Sequence, residues 1–229
     1  MDSATQSAGK TGGDGLNMAF VQALKDTPTA LISDARQRLT GIVGLTRIDT
    51  GGPTVGRALT VKTRAADNLV LYKAMTIAKP GDFLIIDAGG DPNHAVVGGL
   101  IALQLERLGC VGFAIDGAVR DVAELRRYTN FACYTKAVSH KGPYKSGPGA
   151  VNVPVSVCGQ IINPGDIIVA DHDGLVSFPV DEVEGVLRAV AERRHHEAAI
   201  VSEIEAHPRS LQWVRRILEA ADESGIIVG

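Results

Sequence analysis

The stretch from Phe83 to Asp121 constrains this chain most, because its periodicity changes repeatedly within one short segment. Phe83 to Asp87 is an apolar run too short for a helix and suited to a buried strand. A loop of small residues follows, and apolar side chains return at helical spacing from Gly98 to Leu108. Val111 to Ile115 is a second apolar strand, after which Asp116-Gly117-Ala118-Val119-Arg120-Asp121 reads as a tight turn. The helix opens with Gly98-Gly99-Leu100-Ile101. Free backbone N–H groups and the positive end of the helix dipole therefore meet a loop without bulky side chains, where a carboxylate or phosphate fits at little steric cost. If the two strands are neighbours in one sheet, Arg120 and Asp121 lie at the same edge as that helix start. An adjacent Arg–Asp pair alone is usually a solvated surface ion pair of small energetic weight. Beside a helix N-terminus it is a candidate site for a small acid, with Asp121 ready for a metal.

The remainder of the chain reads as one α/β domain with terminal extensions. With 229 residues it can bury a substantial core, and 45% hydrophobic with 21% charged residues is ordinary for a globular protein. A net charge of −3 gives no reason to expect nucleic acid as a partner. No apolar run is long enough to span a bilayer, and residues 1–15 lack the apolar core of a secretory signal. These features point to the cytoplasm, as do Cys110, Cys133 and Cys158, three thiols in apolar settings without metal-ligand spacing. Residues 1–15 are small, polar and expected to be disordered. Within them Ala8-Gly9-Lys10-Thr11 lacks the earlier glycine and preceding strand of a phosphate-binding loop. Residues 16–206 form the expected domain and 207–229 a helical extension. Strands are expected near 56–63, 83–87, 111–115, 131–136, 151–157, 167–170 and 175–178. Helices are expected at Leu16–Leu24, Thr29–Leu39, Asp67–Ala78, Val122–Tyr128, Asp181–Ala206 and 210–222, with Thr29 or Ser33 capping the second and Asp67 the third. Two Pro-Gly-Asp turns, ending at Asp82 and Asp166, precede buried strands and suggest antiparallel or barrel-like pairing. His140 to Ala150 is a Gly- and Pro-rich loop expected near the site or a subunit contact. Asp171-His172-Asp173-Gly174 is a turn, since no glutamate follows at the spacing a calcium loop needs. On the long helix, Arg194 and Glu197 continue the stripe of Val183, Leu187, Val190, Val201 and Ile204. They either pair with each other or meet a neighbouring protomer. His195 and His196 fall off that stripe, toward solvent.

The pattern G-G-x(9)-G-x-x-G-x-x-x-D-G-x-V-R-D, with Pro-Gly-Asp upstream and Asn-Pro-Gly-Asp downstream, resembles the 4-hydroxy-4-methyl-2-oxoglutarate aldolase family. That family also contains the RraA-like regulators of ribonuclease activity, which are not enzymes. The resemblance runs from about Thr29 to Ile204. It implies a swivelling β/β/α-type sandwich with a β-rich centre, assembled as a homotrimer or a dimer of trimers with sites between subunits. It implies a divalent-metal-dependent lyase acting on 2-keto (di)carboxylic acids, by retro-aldol cleavage, by oxaloacetate decarboxylation, or by both. A protein-binding regulator and a metal-enolate isomerase or dehydratase are the alternatives. In this reading Asp121 holds Mg²⁺ or Mn²⁺, whose Lewis acidity polarises the keto acid. Arg120 grips the carboxylate and stabilises the enolate oxygen, and the N–H groups of Leu100 and Ile101 take the other carboxylate oxygen. Asp34 and Glu197 match acidic residues that family members contribute across a subunit interface. One position departs from the pattern: the aldolases carry an acid twenty-one residues before the Arg, where this chain has Gly99. The regulators lack that acid too, but they also lack the Asp after the Arg. Asp91 is the first candidate to replace the acid, with Asp87, Asp34, Glu197 or the substrate itself as others.

Overall fold

Four parallel strands, each buried on both faces, carry the molecule. The computed structural model describes residues 17–223, so the expectations for residues 1–15 lie outside the described residues. These strands are β2 (Thr54–Thr63), β3 (Asp82–Asp87), β5 (Gly112–Val119) and β6 (Ala132–Val138), joined in the order β6-β5-β3-β2. The sheet continues past β6 with β1 (Thr46–Arg47), and past β2 with the antiparallel strands β10 (Ile167–Ala170) and β11 (Leu175–Phe178). Two short strands join off this path: β4 (Ala95–Val97) pairs with β5, and β7 (Gly149–Val151) pairs with β2. A separate hairpin, β8 (Val155–Val157) with β9 (Gln160–Ile162), covers part of one face.

Side chains alternate between two layers because successive strand residues point to opposite faces. Leu84, Ile86, Phe113 and Ile115 face α3 (Leu69–Met75) and α4 (Gly99–Arg107). Phe83, Ile85, Ala114 and Tyr134 face the β8–β9 hairpin. A third cluster lies where α1 (Met18–Lys25), α2 (Thr29–Ala35) and α6 (Val183–Ala206) pack against β10 and β11. Each fully buried Leu, Ile or Phe stabilises this arrangement by about 1.5–3 kcal/mol. α5 (Val122–Leu125) is a single turn after β5, and α7 (Gln212–Glu223) follows α6.

The α/β class and the β-rich centre flanked by helices are as expected; several details differ. The 151–157 stretch is two strands, because Asn152 takes a left-handed conformation and turns the chain from β2 toward β9. The turn expected from Asp116 is still strand: β5 runs on to Val119, across an irregularity between Ile115 and Ala118. β4 is a strand where a loop was expected. Helix α2 stops at Ala35, because Gln37 and Arg38 both have positive φ. Neither Thr29 nor Ser33 caps it. Pro28 is the N-cap, and Thr29 instead donates its backbone N–H (2.8 Å) and hydroxyl (2.6 Å) to Asp171. The two Pro-Gly-Asp turns share one device, since Asp82 and Asp166 each accept the N–H three residues back, from Lys79 and Asn163, both at 2.8 Å. All three thiols are unpaired. Burial pushes Cys110 up to about 12 and raises Cys133 further, so these two are inert core groups. No helix among the described residues is long and apolar enough to cross a membrane.

One buried carboxylate fixes the loop expected near the site. Asp67 has no solvent exposure and accepts N–H groups from Leu69 (2.9 Å), Ser146 (2.7 Å) and Gly147 (3.0 Å), with Arg64 at 3.3 Å. Burial alone would raise its pKa; the three backbone donors and Arg64 outweigh that and hold it below the ordinary carboxylate range. A depressed folded-state pKa contributes stability that is present above the unfolded value and lost as pH falls through the folded one. Asp67→Asn should therefore cost about 3 kcal/mol in urea unfolding at neutral pH. The gap from wild type should shrink once the pH drops well below about 4, the unfolded carboxylate value.

Candidate functional site

The pairing of β4 with β5 builds the site. Ala95 lies opposite Ala118 and Val97 opposite Val119, and the N–H of Arg120 donates to the carbonyl of Val97 at 3.0 Å. The chain leaves β4 at Gly98 and β5 at Arg120, so the start of α4 and the Arg–Asp pair emerge side by side. Asp121 sits in the left-handed region, φ 61° and ψ 38°. This conformation is uncommon outside glycine but tolerated by Asp, and it occurs preferentially at functional sites.

Both side chains turn into the glycine corner. Asp121 Oδ2 accepts the N–H of Gly99 at 2.9 Å, and Arg120 Nε lies 3.7 Å from the same oxygen. The expected anion position at the very first N–H of α4 is thus partly filled by the protein's own carboxylate; the N–H groups of Leu100 and Ile101 remain for a ligand. Glycine leaves room here for side chains that would otherwise have to move. A Cβ on Gly98 would lie 2.7 Å from Asp121 Oδ2 and 3.0 Å from Arg120 Cγ. A Cβ on Gly99 would overlap Glu124 Oε2 and come within 3.1 Å of Glu124 Cδ. The carboxylate of Glu124, on α5, therefore stands where a side chain at position 99 would begin.

Glu124 is the residue that sequence reasoning missed. Its signal was the Asp121-x-x-Glu124 spacing, which places two acids on one side of a helical turn. Asp91 does not join them. Its carboxylate is spent within its own loop, on the Asn93 N–H and side-chain amide (both 3.0 Å) and on His94 Nδ1 (3.2 Å). Burial would raise its pKa, but the two Asn93 bonds and His94 hold it below the ordinary range. Asp87 accepts the Gly89 N–H at 3.1 Å. Asp34, in the last turn of α2, pairs at 2.8 Å with Arg38 beyond the helix end. Arg194 does not pair with Glu197; it donates to the Asp26 carbonyl and the Thr27 hydroxyl, closing the end of α1. Glu197, His195 and His196 are exposed. Within one chain neither Asp34 nor Glu197 lines the cleft.

That cleft holds about 140 Å³ beside the start of α4. Gly98, Leu100, Ile101, Arg120 and Asp121 form one side; Asn68 and Tyr72 from α3, with Pro143 and Lys145 from the 140–150 loop, form the other. The Lys145 ammonium lies over the Tyr72 ring, 5.3 Å from its centroid, a cation–π contact that leaves the charge at the mouth. A roomier cleft of about 480 Å³ separates α2 from α6, around the Arg36–Glu182 ion pair. The larger cleft also brings arginines and acids to the start of α6; the smaller one is the candidate site because there the carboxylate of Asp121 is bonded to the first N–H of the helix with Arg120 beside it. Among the described residues no three His, Cys, Asp or Glu side chains cluster as a metal cage. Asp121 lines the cleft and Glu124 lies against Gly99 just outside it, two hard oxygen donors of the kind suited to a cation that keeps several of its waters.

Comparison with known proteins gives a consistent picture. Residues 29–177 match the RraA-like family, described as Aldolase/RraA. A protein of Halalkalibacterium halodurans, provisionally named a 4-hydroxy-4-methyl-2-oxoglutarate aldolase, is 35% identical over 181 residues, 79% of this chain and 86% of its own. A 4-hydroxy-4-methyl-2-oxoglutarate aldolase of Thermus thermophilus is 35% identical over 124 residues, 54% of this chain and 74% of its own. Among solved structures, the RNA-processing inhibitor RraA of Thermus superposes with a TM-score of 0.62 at 30% identity, covering 67% of this chain and 93% of that one. RraAS2 of Streptomyces coelicolor gives 0.73 at 24% identity, covering 81% and 97%, a likeness that shows the fold alone.

The crowding at the corner has a measurable consequence. Gly98→Ala should push the Asp121 carboxylate off the Gly99 N–H while the sheet stays intact. Hydrogen exchange at the Gly99 amide should then accelerate by about tenfold, the worth of one charge-assisted hydrogen bond, with the amides of β3 and β5 unchanged.

Proposed function

The chain belongs to the RraA-like, aldolase/RraA family, and from that premise we propose that it is a carbon–carbon lyase acting on 2-keto dicarboxylic acids, assisted by Mg²⁺ or Mn²⁺. The observation that carries this reading is the convergence of Arg120 and Asp121 on the N-terminus of α4 within one cleft, with the exposed Glu124 carboxylate against Gly99 just outside its lining. Asp121 and Glu124 would hold the cation, Glu124 supplying the acid that relatives carry at the position of Gly99. The cation would contribute Lewis acidity toward the keto acid's oxygens.

The protein's own groups do the rest. The N–H groups of Leu100 and Ile101 take one oxygen of the carboxylate next to the keto group, with the helix dipole behind them. The Arg120 guanidinium, a planar fork of donors, faces the keto oxygen, where negative charge develops as the bond breaks. Lys145 at the mouth receives the far carboxylate. In a 4-hydroxy-2-oxo acid the C3–C4 bond breaks, its electron pair passing into the enolate of C2 and C3. The C4 hydroxyl loses its proton and becomes a carbonyl. In oxaloacetate carbon dioxide departs instead, leaving the same pyruvate enolate. Protonation at C3 completes both reactions, which is why one pocket serves both. Asp34 and Glu197 lie off the cleft of their own chain, in keeping with a homotrimer or dimer of trimers in which a neighbour brings them to it.

A second reading, a regulator that binds a protein partner, draws on the likeness to the Thermus inhibitor. A pyruvate-release assay separates the two. With oxaloacetate or a 4-hydroxy-2-oxo diacid, turnover should require added Mg²⁺ or Mn²⁺ and stop with chelator. Arg120→Ala should lower kcat by about 10²–10³-fold. Glu124→Ala should raise the metal concentration needed for half-maximal rate by about 10–100-fold. Metal-independent background rates with every 2-keto acid tried would transfer the assignment to the regulator.

A further inference from the structure

Asn68 carries an unspent hydrogen-bonding atom beside the site. It is the N-cap residue of α3, a position where an Asn side chain normally accepts an N–H from the first helical turn. Here it makes no such bond, because Asp67 Oδ1 accepts the Leu69 N–H in its place, at 2.9 Å. The Asn68 side-chain amide is oriented by its other end: Nδ2 donates to the Val96 carbonyl at 3.2 Å, which fixes which atom is oxygen. Its backbone N–H is taken by the Tyr144 carbonyl at 3.0 Å. Oδ1 is left with no donor among the described residues, although Asn68 is only 4% exposed. A buried acceptor without a partner costs about 1–3 kcal/mol and is rare in folded proteins. Asn68 is also one of the residues lining the cleft between Arg120 and Lys145.

We propose that Asn68 is a specificity residue of this cleft, its Oδ1 accepting a hydrogen bond from a hydroxyl on the keto acid. The proposal rests on the lyase reading and narrows it to hydroxyl-bearing substrates. An amide oxygen can only accept, so it rewards a ligand that brings a donor and repels a carboxylate in the same place. Of the two reactions above, retro-aldol cleavage needs a C4 hydroxyl, whereas decarboxylation of oxaloacetate needs none. Lys145 is exposed, and its ammonium rests on the Tyr72 ring. Oδ1 is itself covered in the empty cleft, so a hydroxyl reaches it once a lining side chain shifts, and Lys145 is the long exposed one that turns toward the far carboxylate. Asn68 does not take the proton; it holds the hydroxyl on binding, and the single hydrogen then turns from Oδ1 to a water, which accepts it as the C3–C4 bond breaks.

The test compares two reactions in the same sample, so that any unfolded fraction cancels. In Asn68→Ala, kcat/KM for cleavage of a 4-hydroxy-2-oxo diacid should fall about tenfold or more relative to kcat/KM for oxaloacetate decarboxylation. Asn68→Asp, which keeps an accepting oxygen, should recover part of that ratio. Equal losses in both reactions, or an unchanged ratio, would mean that Asn68 only supports the wall, and the proposal fails. If wild type cleaves neither substrate, the lyase reading fails separately and binding decides. Calorimetry with Mg²⁺ present should then show about tenfold tighter binding of the hydroxylated diacid than of its deoxy counterpart, a preference lost in Asn68→Ala. Equal affinities, or no binding of either acid, would overturn it.

Discussion

The site depends on the short parallel contact between β4 and β5. Val96, Val97 and Val119 are buried to within 1% of completely, so hydrophobic burial on both strands fixes a register that few hydrogen bonds could hold alone. A slip of one residue would turn every side chain to the opposite face. In the observed register the Arg120 N–H meets the Val97 carbonyl, and the glycine corner opens beside Asp121. Two segments more than twenty residues apart thus become one surface, with a strand end on one side and a helix start on the other. The left-handed backbone at Asp121 follows from that closeness, since the chain must reverse within one residue to begin α5 without colliding with Gly98.

Gly99 and Glu124 are one feature seen from two sides. The volume that a side chain at position 99 would claim is held by the tip of the Glu124 carboxylate from α5. A residue at 99 would turn that flexible side chain aside, and a glycine at 99 lets the glutamate lie against the helix start. An acid thus stays next to the cleft while the element supplying it changes. A four-residue helix is a soft platform for such a group. Its side chain is tethered by packing at Leu125, which is fully buried one residue further on.

The main strands were legible because Phe83 to Ile86 and Phe113 to Ile115 are apolar runs that no exposed element tolerates. β4 was not, because three residues between a polar loop and two glycines carry no detectable period. Asp121 and Arg120 could be placed from the order strand, helix, strand; that the Asp121 carboxylate would itself occupy the first N–H of α4 required coordinates. Glu124 looked like a solvated helix residue, and only its spacing from Asp121 marked it. Asp91 drew attention as the acid in the glycine-rich loop, yet such loops consume their own acids in short turns, as Asn93 and His94 show. The residues that hold the opposite wall were also out of reach. Asp67 is separated by some eighty positions from the N–H groups it accepts, and nothing local announces that pairing.

Charge counting across the cleft links these parts to chemistry. Arg120 and Lys145 bring two positive charges to the lining and Asp121 one negative, with the exposed Glu124 just outside it. A doubly charged keto acid entering such a space would reverse that balance, and partial removal from water makes the resulting excess costly. In the lyase reading a divalent cation held by Asp121 and the nearby Glu124 would offset that excess, while Arg120 faces the keto oxygen and Lys145 the far carboxylate. A surface built only to bind protein has no need of an acid on the first N–H of a helix, a position where it competes with any incoming anion. Its presence beside Arg120 makes sense when something positive mediates between it and the ligand. That physical requirement, more than the resemblance to any one relative, favours the lyase reading.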